Sequence, residues 1–400
     1  MASISTSRFA IFEQSTPGDN GTDEQFEVMN VVLPGVSGGP ANTVVESQRI
    51  DPDRNAPGVK LVGASSGLTI PFEAQVPTSN IQAFWAMLRA SIYASTASET
   101  TLLTSANNTT WSGTTLNIAA GDDAAWDGGA VEVGDILQVY SAAAPTVKYY
   151  ARVTAVNGDI TSVTTDISSP TAATDLRIKR GVRIKNGSEQ HWFGMLREFK
   201  SPGSVVYDRW NLYTQEVVDS AQLTINAQSI INGSFSTIGV GSAALVDVVT
   251  DLGIGTPTYG AAPTTDVLDG TNDLPFLRVA GADYSLQSFN VGWNNNSQTR
   301  RVVGTYAPQG VSAGLFRGTG QMTAYFDDIV EFNKAIAGTA SSAYVVMEDS
   351  SGKALIISLP QIRYGNPTLP GQDRDIIATL PFSFEKDDVE GISIRITYIN

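Results

Sequence analysis

Two segments of the chain show the same succession of apolar and polar positions. Leu68–Glu73 and Met322–Asp327 both alternate between apolar and polar residues, and this period of two predicts half-buried β-strands. In each segment a helical pattern follows, and then extended runs over Arg183–Phe199 in the first segment and Tyr344–Ile362 in the second. The repeat is much longer than that of a solenoid protein. It therefore predicts a duplicated domain, which favours pseudo-symmetric assembly.

The residues before and after these strands extend the match. Met29-Asn30-Val31 is similar to Phe289-Asn290-Val291. Two strands that end near Ile238 close the first unit, and two strands that end near Ile399 close the second. The same order of elements is thus expected in both units.

Each unit contains one predicted helix. The first spans about residues 80–94, with Thr78 or Ser79 as its cap. Its apolar face consists of Ile81, Phe84, Trp85, Leu88 and Ile92. The second spans about residues 328–337, with an apolar face of Ile329, Phe332 and Ile336. Each apolar face should lie on a sheet.

These patterns divide the chain into two units, an insertion and a linker. The first unit comprises residues 1–95 and 182–238, and the second comprises residues 274–400. The insertion, residues 96–181, has its own alternating strands and an Asn157-Gly158 hairpin turn, which predict a small all-β domain. The linker, residues 239–273, is rich in Gly, Ala, Thr and Pro. The predicted fold is mainly β: two tandem β-sandwich or barrel units, each flanked by one α-helix, plus the inserted domain.

Composition narrows the classes of function. Only 16% of the residues are charged, and the formal net charge is −15. Such a chain is poorly suited to gripping nucleic acid, which requires clustered Lys and Arg. There is no cysteine, so no disulfide framework or thiolate chemistry is expected. Because no signal-peptide or membrane-spanning pattern is found, we expect a soluble protein made in a cytoplasm and no membrane partner.

The residues that catalysis or metal binding would need are mostly absent. His191 is the one histidine, and it stands beside Trp192 and Phe193 without a nucleophile elbow elsewhere in the chain. The segment 51–62 begins like a calcium loop, but Ala56 and Val62 occupy its two diagnostic positions. We therefore expect no enzyme activity, no metal and no cofactor.

Three groups of residues resemble the tail tube proteins of long-tailed bacteriophages. They are Val45–Ile50 with Ser66–Glu73, Leu223–Ala227 with Ile231–Ser236, and Ile377–Glu385. The resemblance covers most of residues 1–95, 182–238 and 274–400, but not the insertion. It implies a virion tail protein, assembled in the host bacterial cytoplasm. It also implies subunits that join sheets into a ring around a lumen, rings that stack into a tube, and double-stranded DNA that passes through without specific binding.

Several expectations follow from this resemblance. Because the chain carries two units, we expect a trimer with pseudo-six-fold symmetry, with a hexamer as the alternative. The lumen is expected to be acidic and to be lined by one alternating face of the inner strands. That face is either the opposite one or the one formed by Thr69, Pro71, Glu73, Gln222, Thr224, Asn226, Thr323, Tyr325 and Asp327. The insertion, residues 96–181, is expected on the outer surface, because a domain of that size would obstruct the lumen. Ring stacking is expected to involve Arg8, Phe9, Asp51, Asp53, Arg54, Tyr398 and Asn400. Tail tip, tape measure and tail terminator proteins are the implied partners.

Two other classes of function remain as alternatives. A capsid decoration protein or the tube of another injection machine would have a similar composition. A carbohydrate-binding module would gather aromatic side chains in one cleft, whereas the six tryptophans here are spread along the chain.

Overall fold

The computed structural model describes residues 7–19, 25–32, 35–47, 58–96, 102–105, 107, 109–118, 122, 126, 130–157, 161–170, 173–201, 203–204, 206–242, 244–274, 276–284, 286–325, 330–368 and 377–400. Over these residues the chain is mainly β, with 27 strands and two α-helices. The predicted fold class is confirmed.

The first elements are β1 Arg8–Glu13, β2 Gln25–Met29, β3 Ser37–Glu46, β4 Val59–Glu73 and helix α1 Ala83–Ser91. Next come β5 Leu103–Thr104, β6 Thr109–Ser112, β7 Thr115–Asn117, β8 Ile136–Ser141, β9 Lys148–Val156, β10 Ser162–Thr165 and β11 Ala173–Arg180. They are followed by β12 Val182–Lys185, β13 Phe193–Phe199, β14 Arg209–Asn226, β15 Asn232–Ile238, β16 Gly241–Ser242, a 3-10 helix Val249–Leu252 and β17 Thr258–Tyr259. The last elements are β18 Phe276–Val279, β19 Ala282–Tyr284, β20 Leu286–Asn294, β21 Gln298–Arg300, β22 Gly310–Ser312, β23 Arg317–Tyr325, helix α2 Val330–Ala337, β24 Ser341–Glu348, β25 Ala354–Tyr364, β26 Ile377–Glu385 and β27 Arg395–Ile399.

Two parts of the chain share one scheme of strand pairing. In the first part β1 pairs with β2 and β13, β13 with β14, β14 with β15 and β16, β15 with β4, and β4 with β3. In the second part β18 pairs with β19 and β24, β24 with β25, β25 with β26 and β27, β26 with β23, and β23 with β20. The paired strands therefore correspond one to one in chain order, with a helix after the fourth strand of each part.

This scheme matches different segments from those matched by sequence similarity. The counterpart of β2, which ends at Met29, is β19 and not the strand that contains Phe289. The counterpart of β15, which ends at Ile238, is β26 and not the final strand that ends at Ile399. Period-two patterns repeat every second residue, so similarity alone does not decide which strand matches which.

A continuous antiparallel sheet runs through both parts. Its eight strands lie in the order β3–β4–β15–β14–β20–β23–β26–β25, and we call it the long sheet. The two parts meet where β14 residues Ser220–Asn226 pair with β20 residues Ser288–Asn294, which we call the seam. One face of the long sheet contributes Ile70, Leu223 and Val291, among others, to the main hydrophobic core.

A second layer packs on the other side of that core. It consists of β1, β2, β13 and the first half of β14 in the first part, and of β18, β24, β27 and the first half of β25 in the second. The far face of this layer is also apolar, and each part covers it differently. In the first part, Leu252 and Ile254 of the predicted linker pack against Phe12 and Leu196. The segment predicted as the linker, residues 239–273, thus packs against the first part through described residues.

The insertion covers the far face of the second part. Six of its strands close into a barrel in the order β11–β6–β7–β10–β9–β8, and β8 pairs with β11 to complete the ring. Trp111, Leu116, Ile118 and Trp126, predicted as its core, are buried inside it. On the outside of the barrel, Ile136 and Tyr150 pack against a cluster of Tyr344, Val346, Ala354, Ile356 and Ile399.

Buried ion pairs flank this apolar contact. Asp135 of the barrel accepts hydrogen bonds from Arg183 and, at 3.2 Å, from Arg395 of β27. Glu390 is paired with Arg152 of the barrel and lies 3.2 Å from Arg395. Removing one member of such a buried network leaves an uncompensated charge, so these residues hold the barrel in one position.

Helix α1 is shorter than predicted. Helix α1 begins after Gln82, and this residue exchanges hydrogen bonds with Thr78 in place of a Thr78 or Ser79 cap. Ile81, predicted on the buried face, therefore precedes the helix and is 62% exposed. In α2, Phe332 packs against the core, but Ile336 is 69% exposed. Ile329 lies outside the described residues.

The contact between the barrel and the second part should contribute to global stability. We expect Ile136→Ala to lower the free energy of unfolding by about 2–4 kcal/mol, because it creates a cavity between two packed surfaces. Urea denaturation measures this loss. Val147→Ala, at an exposed barrel position, should change stability by less than about 0.5 kcal/mol. Equal stability of the Ile136→Ala variant and the unmodified protein would contradict this packing.

Candidate functional site

The face of the long sheet that points away from the core is polar. Most of its side chains are hydroxyls and amides, such as those of Thr69, Ser236, Gln222, Asn290, Thr319 and Thr379. Its charged residues include Glu73, Arg317 and the ion pair of Arg363 with Glu385 at 3.3 Å. These four charges balance, so this part of the face is polar without being predominantly acidic.

The residues proposed to line a lumen fall on this polar face where they are described. Thr69, Pro71 and Glu73 alternate with the buried Ile70 and Phe72 along β4. In the same way, Gln222, Thr224 and Asn226 of β14 and Thr323 of β23 alternate with core residues. The side chain of Tyr325 and all of Asp327 lie outside the described residues. Of the two alternating faces considered from the sequence, this one is directed away from the core.

Each end of the long sheet offers a strand edge. At one end β3 pairs with β4 on one side only. At the other end β24 pairs with β25 as far as Ile362, whereas β26 follows the chain further, through Tyr364, Gly365 and Thr368. Among the described residues, therefore, no strand pairs with the far side of β3 or of residues 363–368. Unpaired edges of this kind accept a further strand.

The hairpin of β3 and β4 extends beyond the sheet and exposes apolar side chains. Roughly half of the surface of each of Val44, Val45, Val59, Leu61 and Val62 is accessible. A cluster of exposed valines on a hairpin is typical of a contact surface. The residues that connect the two strands, including Asp51, Asp53 and Arg54, lie outside the described residues.

The other residues expected to stack rings have contacts within the subunit. Phe9 is buried in the main core, and Tyr398 is buried with its ring 4.6 Å from that of Trp85. Arg8 is bound to Glu198, and Asn400 donates a hydrogen bond to Thr78 O at 2.9 Å. Because Phe9 and Tyr398 are enclosed by their own subunit, we leave them out of any stacking surface.

His191 has a structural environment near the start of β13. Its Nδ1 lies 2.6 Å from Glu13 Oε1, and its Nε2 lies 2.6 Å from Ala94 O. Because both ring nitrogens have an oxygen atom within hydrogen-bond distance, the imidazole ring is held in one orientation. Burial alone would raise the pKa of Glu13, but the hydrogen bonds and charges of His191 and Arg89 outweigh it and lower that pKa. The three side chains tie β1 to α1 and to the segment that returns from the insertion.

Glu216 is a buried carboxyl that the sequence pattern does not reveal. It accepts hydrogen bonds from Ser66 Oγ of β4 and, at 2.6 Å, from Thr237 Oγ1 of β15. Burial raises the pKa of Glu216 to about 7, although the two hydroxyl contacts act in the opposite direction. The side chain joins three strands of the long sheet close to the base of the β3–β4 hairpin.

Neither a group of metal-binding side chains nor a membrane-spanning helix is found in the part of the chain that the structure describes. Among the described residues, no three His, Cys, Asp or Glu side chains are grouped so that they could hold a metal ion. Within the same residues, no helix has the length and apolar character needed to cross a membrane.

Comparison with known families identifies the class of protein. Residues 4–384 match the family model described as "Phage tail tube protein". The match spans nearly the whole chain, and the chain therefore belongs to the phage tail tube protein family. It is accordingly a structural subunit of a virion tail, of a kind that assembles into stacked rings. A search of curated proteins finds no match.

The buried Glu216 should make stability depend on pH. Its pKa is raised from 4.5 to about 7, so the folded state binds a proton that the unfolded state releases. The stabilisation is complete below pH 4.5 and is lost as the pH rises through 7. Between pH 4.5 and 7, the free energy of unfolding of the unmodified protein should fall by about 3 kcal/mol more than that of a Glu216→Gln variant.

Urea unfolding at several pH values tests this difference. Glu46→Gln, which removes an exposed carboxylate of β3, controls for the loss of a charge. Parallel pH profiles for the Glu216→Gln variant and the unmodified protein would show that Glu216 does not titrate in this range.

Proposed function

We propose that three copies of this chain close into a ring with pseudo-six-fold symmetry, and that stacked rings form a tube that conducts double-stranded DNA. The observation that carries the proposal is the seam, in which a strand of the first part pairs with a strand of the second. Because β3 corresponds to β20, and β25 corresponds to β14, the seam indicates how the two free edges would pair between copies.

The proposed contact between copies repeats the seam. The edge of β3 in one copy would pair with residues 363–368 at the end of β25 in the next copy. Three copies of an eight-strand sheet would then close into a barrel of twenty-four strands without a free edge. A hexamer of whole chains would double that number and leave the internal repeat without a role in the symmetry.

The register of this contact follows from the internal correspondence. Ile238 and Glu385 are the last residues of β15 and β26, and aligning them makes Ser37 the counterpart of Gly292. In the seam Gly292 lies opposite Gln222. The counterpart of Gln222 in the second part is Gly365, so we propose that Ser37 lies opposite Gly365 of the next copy.

The polar face of the long sheet would then line the lumen. Hydroxyl and amide side chains give a hydrated wall, and few guanidinium groups are available to hold phosphates. We infer a polar and nearly neutral wall over its described length, in place of the acidic wall expected from net charge alone. DNA would pass such a wall without specific binding.

The remaining surfaces suggest the rest of the assembly. The inserted barrel packs on the layer opposite the polar face, so it would lie on the outside of the tube. The exposed valines of the β3–β4 hairpin would contact the neighbouring ring. We propose a structural role without enzyme activity, assembly in the host cytoplasm, and tail tip, tape measure and tail terminator proteins as partners at the tube ends.

Electron microscopy of the concentrated protein tests the ring. Hollow rings or tubes with three-fold symmetry and six similar lobes are expected in end-on views. A ring that contains six chains by mass would support the hexamer, and a compact oligomer without a channel would contradict the tube.

Engineered cysteines test the register, and the natural chain contains no cysteine to compete. Ser37→Cys with Gly365→Cys should give disulfide-linked dimers and trimers under oxidation, with closed trimers as the largest product. A Cβ at Gly365 would make ordinary contacts with Pro381, so the substitution is sterically tolerable. Thr224→Cys with Asn290→Cys, opposite each other in the seam, should instead cross-link within one chain. Ladders that extend to six chains, or no linkage between copies, would count against the proposed contact.

A further inference from the structure

The edge of β3 that faces away from β4 leaves backbone groups without a partner strand among the described residues. Pro40 lies opposite Ser66, but the N–H and C=O of Ser66 bond with Gly239 on the other side. Pro40 also lacks an N–H, as expected for an edge strand. Val36 and Gly38 lie four and two residues before Pro40, and a side chain from another strand reaches their carbonyl oxygens.

The side chain of Arg197 binds two carbonyl groups of this edge. From β13, its Nη2 donates a hydrogen bond to Val36 O at 2.8 Å, and its Nη1 lies 3.4 Å from Gly38 O. The guanidinium also lies 5.1 Å from the ring centroid of Phe199. One side chain of the same subunit thus bridges two carbonyls that are two residues apart on an open strand edge.

The seam shows what these carbonyls do when the edge is paired. There, Asn295 N–H donates to Asp219 O at 2.7 Å, and Ala227 N–H donates to Gln287 O at 3.0 Å. In the seam, the backbone N–H and C=O groups of the odd-numbered residues of β20 therefore point towards β14. Val291 and Trp293 are among these residues. In the internal alignment, Val36 and Gly38 are the counterparts of Val291 and Trp293. Arg197 therefore holds the acceptors that a neighbouring copy would need.

We propose that Arg197 is an internal guard of the β3 edge, which must withdraw before a second copy of the chain can pair there. This inference rests on the proposed ring, because the partner strand is residues 363–368 of another copy. The guard satisfies two carbonyls in the free subunit and so lowers the gain from premature pairing. Release requires the backbone N–H groups of the incoming strand to replace the guanidinium.

The test compares assembly thresholds. Arg197→Met keeps an unbranched apolar stem but removes every donor. Its critical concentration for assembly, measured by sedimentation and light scattering, should be about tenfold lower than that of the unmodified protein. Oxidative cross-linking of the Ser37→Cys, Gly365→Cys pair should also be faster in the Arg197→Met background.

Two further variants make the result specific. Arg209→Gln removes an exposed arginine of β14 that pairs with Asp247 at 3.0 Å, and its threshold should match that of the unmodified protein. Arg197→Lys keeps the charge but not the two-pronged contact, so its threshold should lie between the extremes. If the Arg197→Met variant melts at a much lower temperature than the unmodified protein, the assembly threshold of the Arg197→Lys variant is the one that tests the guard.

The guard and the ring can fail separately. An unchanged or higher threshold in Arg197→Met and Arg197→Lys, or monomers of all variants at every concentration, would overturn the guard. Assemblies without a central channel would overturn the proposed ring, whatever the order of the thresholds.

Discussion

The backbone pairing between β14 and β20 is the contact on which the rest of this architecture depends. It joins two parts with the same pairing scheme into one sheet. The edge of β20 is paired with β14, whereas the corresponding edge of β3 has no partner strand among the described residues. The hydrogen bonds are individually weak in net terms, but they set the register of the two strands. A shift of one residue would turn the polar side chains of the shifted strand towards the core. The polar face, the buried face and the two free edges all follow from this register.

The two parts differ in what covers the far face of the second layer. Each part presents an apolar far face that cannot remain exposed, because burial of that area from water is a main source of stability. The first part uses Leu252 and Ile254 of the connecting segment, and the second uses Ile136 and Tyr150 of the inserted barrel. The barrel therefore interrupts the first part in sequence but packs on the second in space. Its buried partners Asp135 and Arg395 are 260 residues apart.

Sequence patterns predicted the features that depend on neighbours in the chain. Alternation placed Thr69 and Thr224 on the face opposite Ile70 and Leu223, and the apolar residues of the insertion identified its core. The errors have physical causes. The helix begins after Ile81 because Gln82 pairs with Thr78, a local exchange that apolar periodicity does not reveal.

Contacts between distant segments could not be predicted in this way. Arg197 is 161 residues from Val36, and Glu216 is 150 residues from Ser66. A polar residue in a strand pattern predicts exposure, whereas both side chains reach partners that only the assembled sheet brings near. The match of the two parts was detectable from their common order of elements, but its register required the pairing itself.

The pairing of β12 with β27 has a consequence for biosynthesis. Val182–Lys185 follows the last barrel strand after Gly181, where a Cβ would collide with the carbonyl oxygen of Tyr398. Because β27 follows every other described strand in the sequence, it is the last of them to be synthesised, and the contact between Asp135 of the barrel and Arg395 forms only after that. A chain cut before Arg395 would lack this contact and would leave the layer beneath the barrel without its last strand.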